Sequence, residues 1–185
     1  MKGSLNTFLN AMTGMDFTAY PVMTPNLRDY YNLMDVYLDA VLNPRIHVKP
    51  EILMQEGWHY ELDDAGDLVI NGVVYNEMKG AMSSPERQMG EAVLRTLFTN
   101  FYRFNAGGAP AAIPSLTQEQ FAAFHKEYYH PGNSLTVIAG DMPIEPVLDY
   151  IDENYFSHYE RPREEIVLEQ QEPHAAPREA VFEYA

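Results

Sequence analysis

The stretch Gly72-Val-Val-Tyr-Asn-Glu-Met-Lys-Gly-Ala-Met-Ser-Ser-Pro-Glu86 decides how the middle of the chain folds. The Asn71-Gly72 pair ends an apolar strand, and apolar residues then recur at helical spacing over 73–82. Ser84-Pro85-Glu86 has the cap, the proline and the acidic residue that are typical of a helix start. The stretch therefore predicts two consecutive helices that meet at Pro85, the second running to about Phe98.

The residues before this stretch indicate a hairpin. Trp58-His-Tyr-Glu-Leu62 and Leu68-Val-Ile70 flank an acidic turn that contains a glycine, over 63–67. We expect a short helix over 50–57 just before the hairpin.

A long amphipathic helix is predicted further upstream. Asn26 and Asp29 form a capping-box-like start, apolar residues follow at helical spacing to Val41, and Pro44 ends the run. The side chains of 17–23 alternate as in a half-buried strand.

The residues after Phe98 begin with a glycine- and proline-rich loop over 105–114. Its glycines, Gly107 and Gly108, fit either a flexible surface loop, which we favour, or a close approach of the backbone to a neighbour. A capping box at Leu116-Thr117 predicts a helix to Tyr129.

Beyond that helix, we expect a strand over 134–139 and then a helix with Ile144, Val147, Leu148, Ile151 and Tyr155 on one face. The predicted class is α+β, a mainly antiparallel sheet with helices packed on one face. Residues 1–160 are predicted to form one domain. Residues 161–185 have the composition of a linker and end in a strand over 180–184 that leads to a next domain.

Composition narrows the classes of partner. The chain has 185 residues, 46% of them hydrophobic, and a formal net charge of −15. Such a charge disfavours nucleic acid and anionic membranes as partners. The acidic surplus either favours basic peptides as partners or simply confers solubility, which composition alone favours. The absence of cysteine excludes disulfides and thiolate ligands, so a metal would need His, Asp or Glu. No targeting or membrane-spanning segment is evident, which favours the cytoplasm, or an organellar matrix in a eukaryote.

The histidines form no recognisable zinc motif. None of the six pairs with another at a separation of three or four residues with a Glu between them. His125 and His130 lie five residues apart, and we interpret them as residues near a helix end, where a partly positive imidazole is favoured. Glu77 shares part of an apolar helix face, so its carboxylate is either solvated, paired with a lysine or committed to another partner.

Several motifs resemble those of the insulinase/pitrilysin superfamily of zinc metallopeptidases, in its presequence-protease branch. They are Lys2-Gly-Ser-Leu-Asn-Thr-Phe-Leu-Asn-Ala-Met-Thr13, Gln55-Glu-Gly-Trp58, the stretch from Gly72 to Pro85, the glycine pair at 107 and 108, and Phe124-His125 to Tyr129-His-Pro131. Their order along the chain is also that of the family.

The resemblance implies a LuxS/insulinase-like metallopeptidase domain inside a closed chamber that degrades short unfolded peptides. In this family a His-x-x-Glu-His motif supplies two zinc ligands and the general base, and a later Glu supplies the third ligand. Glu77 matches that third position, and Asn10, Ala11, Met12 and Thr13 match the edge strand that pairs with substrate backbone.

The chain lacks the histidine motif, and we therefore expect an N-terminally truncated catalytic domain. It contains no catalytic residue of its own, binds zinc weakly at most through one carboxylate, and is inactive alone. The uncovered sheet edge would favour self-association. The alternative is a non-catalytic homologue that binds peptides or partners through the same edge strand. A His-x-x-Glu-His motif encoded upstream in the gene would distinguish the enzyme fragment from the non-catalytic homologue.

Overall fold

The computed structural model describes residues 5–160 and 166–182 and has an α+β architecture, as predicted. The α-helices are α1 (Leu27–Leu42), α2 (Val73–Ala81), α3 (Pro85–Leu97), α4 (Gln118–Tyr128) and α5 (Ile144–Asn154). The strands are β1 (Phe8–Leu9), β2 (Met12–Thr13), β3 (Thr18–Ala19), β4 (Val22–Met23), β5 (His59–Leu62) and β6 (Leu68–Asn71). Single helical turns lie at Arg45–His47, Leu53–Gly57, Phe101–Arg103, Ile113–Ser115, Pro131–Asn133 and Phe156–His158.

The predicted helices are all confirmed, and side-chain caps set the start of two of them, α1 and α3. The Asn26 side chain accepts a hydrogen bond from the Asp29 amide at 3.0 Å and so caps α1. Ser84 caps α3 by accepting from the Arg87 amide, with Pro85 at the first helical position. The short helix expected over 50–57 ends as the π-helical turn Leu53–Gly57.

The strands form short ribbons rather than the predicted sheet with helices on one face. β1 pairs with β4, β2 with β3 and β5 with β6, so every sheet among the described residues has two strands. The predicted hairpin is confirmed as the antiparallel β5–β6 pair, with His59 opposite Asn71 and Leu62 opposite Leu68.

The strand predicted over 134–139 is wrong for the described residues. The backbone is extended at Ser134, but the segment pairs with no described strand. A strand is defined by its hydrogen-bonded neighbour, and sequence alternation cannot supply one. Leu135 is 89% exposed and Val137 is 80% exposed, whereas Ile138 packs on the core.

Two compact units divide the chain. The first comprises the described parts of Met1–Met12, Tyr20–His47 and Glu119–Val167. Met34, Val147 and Ile151 form its core cluster, so α5 buries the face that the spacing predicts, although Leu148 is half exposed. Tyr150 and Tyr155 both donate hydrogen bonds to the Asp35 carboxylate at 2.8 Å, which fastens α5 to α1.

The second unit comprises the described parts of Thr13–Ala19, Val48–Gln118 and Leu168–Ala185. Its buried apolar residues are Met78 and Ile113. The Trp58 indole donates to the Leu116 carbonyl at 3.0 Å and so links the hairpin to the residues before α4.

The C-terminal segment has no regular structure where it is described. The Gln171 side chain accepts a hydrogen bond from the Thr99 amide at 2.6 Å and donates to the Leu97 carbonyl at 2.8 Å, so the segment caps the end of α3. Residues 180–182 pair with no described strand, and the strand over 180–184, expected to pair beyond this chain, stays a prediction. The rest of that strand and residues 161–165 of the linker lie outside the described residues. Within the described residues, no helix has the length and apolar run needed to cross a bilayer.

Candidate functional site

Helix α2 carries Glu77 on its exposed side. Tyr75 and Met78 face the interior of the second unit, and Met78 is buried. Glu77 is exposed, and its carboxylate has no hydrogen bond or ion pair to a described residue. The helix face that Glu77 shares with Val73 is therefore open to solvent.

Lys79 does not neutralise Glu77. Its ammonium lies 5.8 Å from the centroid of the Tyr75 ring, one turn back along α2. Two residues of separation place Lys79 and Glu77 on different sides of the helix. Pairing with a lysine, one of the alternatives for Glu77, is therefore not seen among the described residues.

The start of α2 is fixed by a buried glycine. A side chain at Gly72 would overlap the carbonyl oxygen of Gly57, and the φ angle of 154° lies in the range that side chains rarely adopt. The Asn71 side chain accepts from the Gly72 amide at 2.8 Å and donates to Glu61 at 2.7 Å. Hairpin and helix are thereby joined tightly, and the orientation of α2 in this unit is set by backbone contact.

The glycine loop supports α2 from its buried side. A side chain at Gly107 would overlap the Met78 sulfur, and Gly108 has a φ of 87°, which favours glycine. Of the two interpretations of this loop, the contact between Gly107 and Met78 supports the close approach of the backbone to a neighbour. The Gly107-Gly108 pair thus positions the helix that carries Glu77.

The predicted substrate strand is only partly a strand. Met12 and Thr13 form β2, whereas Asn10 and Ala11 separate it from β1. The Asn10 side chain accepts from the Ala11 amide at 2.9 Å. All four residues are exposed, and pairing of this segment with substrate stays a prediction.

His125 and His130 make separate contacts. His125 is buried and bonds to the Val41 carbonyl at 2.7 Å through Nε2 and to His47 at 3.1 Å through Nδ1. His130 accepts from the Gly132 amide at 2.9 Å and packs on Tyr159. Burial lowers the pKa of His125, the hydrogen bond to the Val41 carbonyl raises it by less, and the nearby His47 lowers it slightly, so the net shift is downward. The expectation of a partly positive imidazole is therefore wrong for His125.

The His47–His125 contact is a feature that the sequence reasoning missed. A carbonyl can only accept, so Nε2 of neutral His125 carries the proton and Nδ1 accepts from His47 Nε2. The available signal was the four-residue step from Phe121 to His125, which puts the imidazole on the apolar face of α4.

The described residues do not by themselves fit a zinc ion. They contain no group of three or more His, Asp or Glu side chains that could hold a metal. Glu77 offers one carboxylate, whereas a tetrahedral site takes three or four protein ligands. A zinc site involving Glu77 would need ligands from outside the described residues.

Comparison with known proteins places the chain in a family. A family model described as "Peptidase M16 inactive domain" matches residues 115–184. Protein HypA of Clostridium perfringens is 47% identical over 186 residues, which cover 100% of this chain and 19% of HypA. Presequence protease 1, chloroplastic/mitochondrial, of Arabidopsis thaliana is 49% identical over 143 residues, which cover 76% of this chain and 13% of the protease. The mitochondrial presequence protease of Danio rerio is 41% identical over 183 residues, which cover 96% of this chain and 18% of the protease.

The chain belongs to the insulinase/pitrilysin superfamily of M16 peptidases, in its presequence-protease branch. The family includes peptidases, as the names of these relatives state. The chain spans less than a fifth of the length of these three relatives. The match to residues 115–184 crosses residue 160, where the domain boundary was predicted, and that boundary stays a prediction.

Proposed function

We propose that the chain is part of a zinc metalloendopeptidase that cleaves short unfolded peptides, and that Glu77 supplies one carboxylate ligand to its zinc. The other two protein ligands and the general base would come from residues outside this chain. The observation that carries the proposal is the exposed Glu77 carboxylate, which has no partner among the described residues, on a helix fixed by backbone contacts at Gly72 and Gly107.

An open face around Glu77 supports this role. A methyl group at Gly80, one turn after Glu77, would meet nothing within 4 Å, and Val73, one turn before it, is 54% exposed. A second helix could therefore lie close against α2 there.

Asn10, Ala11, Met12 and Thr13 are proposed to hold the substrate backbone by β-augmentation. Each is exposed, and β2 is only two residues long, so an added strand could extend this ribbon. We further propose that basic peptides are favoured, given the net charge of −15. The names of the relatives place those proteins in mitochondria or chloroplasts, and an organellar matrix, or the cytoplasm in a prokaryote, suits this role.

The second candidate is a homologue that binds peptides without cleaving them. The family model that matches 115–184 is described as an inactive domain, which favours a non-catalytic role for that part of the chain. The sequence encoded before Met1 distinguishes the candidates. A His-x-x-Glu-His motif there supports the peptidase, and its absence supports the binding protein.

The first prediction tests Glu77 in a protein that includes the preceding residues. Loss of a residue that only orients a zinc ligand lowers zinc affinity by ~10–100-fold. Glu77→Gln removes a ligand, so it should lower zinc affinity by more than that and abolish peptide cleavage. Zinc content by mass spectrometry and cleavage of a fluorogenic peptide measure the two effects. Glu153→Gln, an exposed substitution of the same type on α5, should change neither.

Two outcomes would contradict the assignment. If Glu77→Gln retained stoichiometric zinc at wild-type affinity, Glu77 would not be a ligand. Tight one-to-one zinc binding by the 185-residue chain alone, measured by calorimetry, would show that it holds a ligand set that the described residues lack.

A further inference from the structure

A cleft of about 370 Å³ lies in the second unit beside the glycine loop. It is distinct from the exposed face of α2 that carries Glu77, which does not line it. The end of α3, the turn Phe101–Arg103 and the loop after it form its walls. The lining residues are Glu91, Arg95, Arg103, Phe104, Asn105, Gly108, Ala109 and Ala112.

The charges in this cleft do not cancel. Arg95 forms an ion pair with Glu91 at 3.4 Å, and the Asn105 side chain donates to the other oxygen of Glu91 at 2.9 Å. Glu91 is only 14% exposed, so both of its oxygens are engaged in a sheltered position. The Arg103 guanidinium remains, with no hydrogen bond or ion pair to any residue that the structure describes, while the Arg103 backbone amide donates to the Asn100 carbonyl.

The floor of the cleft is held rigidly. Besides its bond to Glu91, the Asn105 side chain accepts from the Gly107 amide at 2.9 Å, and its carbonyl accepts from the Gly108 amide at 3.0 Å. Asn105 therefore uses its polar groups within the protein. Arg103 is left as the cationic donor for a bound molecule.

An apolar surface lies beside the Arg103 guanidinium. The Arg103 guanidinium lies 5.3 Å from the centroid of the Phe104 ring, and Phe104 is 60% exposed. A guanidinium fork binds a carboxylate through two parallel hydrogen bonds. The adjoining ring can pack against an apolar side chain.

We propose that this cleft is a subsite for a peptide carboxylate, bound by Arg103 with the neighbouring apolar side chain of the peptide on Phe104. The proposal rests on the proposed function, because it takes peptides as the ligands. One uncompensated positive charge beside Glu91 suits a monoanion better than a phosphate dianion, which the carboxylate of Glu91 repels. The carboxylate can be the C-terminus of a peptide or an acidic side chain within it.

The test compares peptides that differ only in this group, on the full-length protein in the presence of a chelator so that nothing is cleaved. The probes are an N-acetylated peptide ending in leucine with a free carboxylate, the same peptide amidated, and the amidated peptide with an internal glutamate. Inorganic phosphate and acetate serve as competitors. Calorimetry gives the dissociation constants.

The free-acid peptide should bind about tenfold more tightly than the amide, in line with one charge-assisted hydrogen-bonded pair. Arg103→Gln should remove that preference and leave affinity for the amide unchanged. Arg103→Lys should keep part of it, since the charge remains and the fork is lost. Arg45→Gln, which removes the same charge from the first unit, should leave the preference intact.

Equal affinity for acid and amide, or an unchanged preference in Arg103→Gln, would overturn the subsite. Phosphate that displaced the peptide more strongly than acetate would overturn the choice of a carboxylate. Tight binding of the glutamate peptide would identify a side-chain carboxylate, and weak binding would identify the C-terminus. These results are independent of zinc, so the subsite can fail while cleavage and its dependence on Glu77 stand.

Discussion

His125 has two ring nitrogens committed to specific partners inside the first unit. Nε2 donates to the Val41 carbonyl, in the last turn of α1, and Nδ1 accepts from His47. The ring also stacks on Tyr129, whose hydroxyl bonds to that of Tyr20 at 2.9 Å. A proton added at Nδ1 would remove the acceptor that His47 uses. The neutral form of His125 is therefore the one that fits its surroundings.

The prediction at this position concerns pH. Burial lowers the pKa of His125 from 6.5, so the unfolded chain takes up a proton at a pH where the folded protein does not. The stability from this group is complete above about pH 6.5 and is lost as the pH falls from there towards the folded pKa. We expect the free energy of unfolding to fall by up to ~1.4 kcal/mol per pH unit in that range. Urea denaturation between pH 7.5 and 5 measures it.

A variant that lacks only His125 provides the control. His125→Gln can still donate to the Val41 carbonyl but cannot titrate, so its loss of stability on acidification should be smaller than that of the wild type. His47 and Tyr129, the titratable groups that contact the ring in the described structure, are unchanged in this comparison. Identical pH profiles for the two proteins would show that His125 is not the group responsible.

Single residues were predictable from the sequence only in part. The motif that contains Glu77 identified a carboxylate on a helix, and the structure shows that helix and the exposed side chain. The His47–His125 pair could not be found in the same way, because 78 residues separate its members and no local pattern links them. A residue's helix face can be derived from spacing, but its distant partner cannot.

At the scale of elements, the glycines of α2 and its start provide a matched comparison. Gly72 has a positive φ, and a side chain there would overlap the backbone of Gly57, whereas Gly80 is helical with open space around it. Gly72→Ala should lower the free energy of unfolding by about 3 kcal/mol. The strain of the positive φ adds to the overlap of the new methyl group with the Gly57 backbone, which cannot shift without further cost. Gly80→Ala should stabilise by about 0.5–1 kcal/mol through helix propensity. Denaturation midpoints of the 185-residue chain measure both.

Comparing the Gly80→Ala effect in the 185-residue chain and in a longer protein tests whether the exposed face of α2 is covered. If residues outside this chain cover the face that holds Glu77, the added methyl group should lose its benefit in the longer protein. A gain of the same size in both proteins would contradict a closely packed partner there. A Gly72→Ala variant as stable as the wild type would contradict the tight joint between hairpin and helix.

Elements were largely predictable because their ends are set locally. Asn26, Ser84 and Pro85 stop or start helices through contacts within a few residues, and all of these predictions are confirmed. The segment 134–139 failed for the opposite reason. Its alternating pattern fits a strand, but the hydrogen-bonding neighbour that makes a strand is absent from the described residues.

At the scale of the molecule, the surplus of acidic residues sets the long-range field. The chain carries 27 acidic and 12 basic residues, and an ion pair such as Arg95–Glu91 engages few of the acidic ones. Most of the described carboxylates are exposed to solvent, where salt screens their charge. The net charge could be predicted from composition. The division into two units could not, because it depends on contacts between segments that are distant in the sequence.

This field should act on the approach of peptides. Raising the ionic strength from about 20 mM to about 500 mM should slow the association of a basic peptide by about tenfold or more, because screening removes the attraction that steers the encounter. A neutral peptide of the same length should change by no more than about twofold. Stopped-flow fluorescence with labelled peptides measures both rate constants. If the two peptides responded to salt in parallel, the acidic surplus would serve solubility and not the selection of basic substrates.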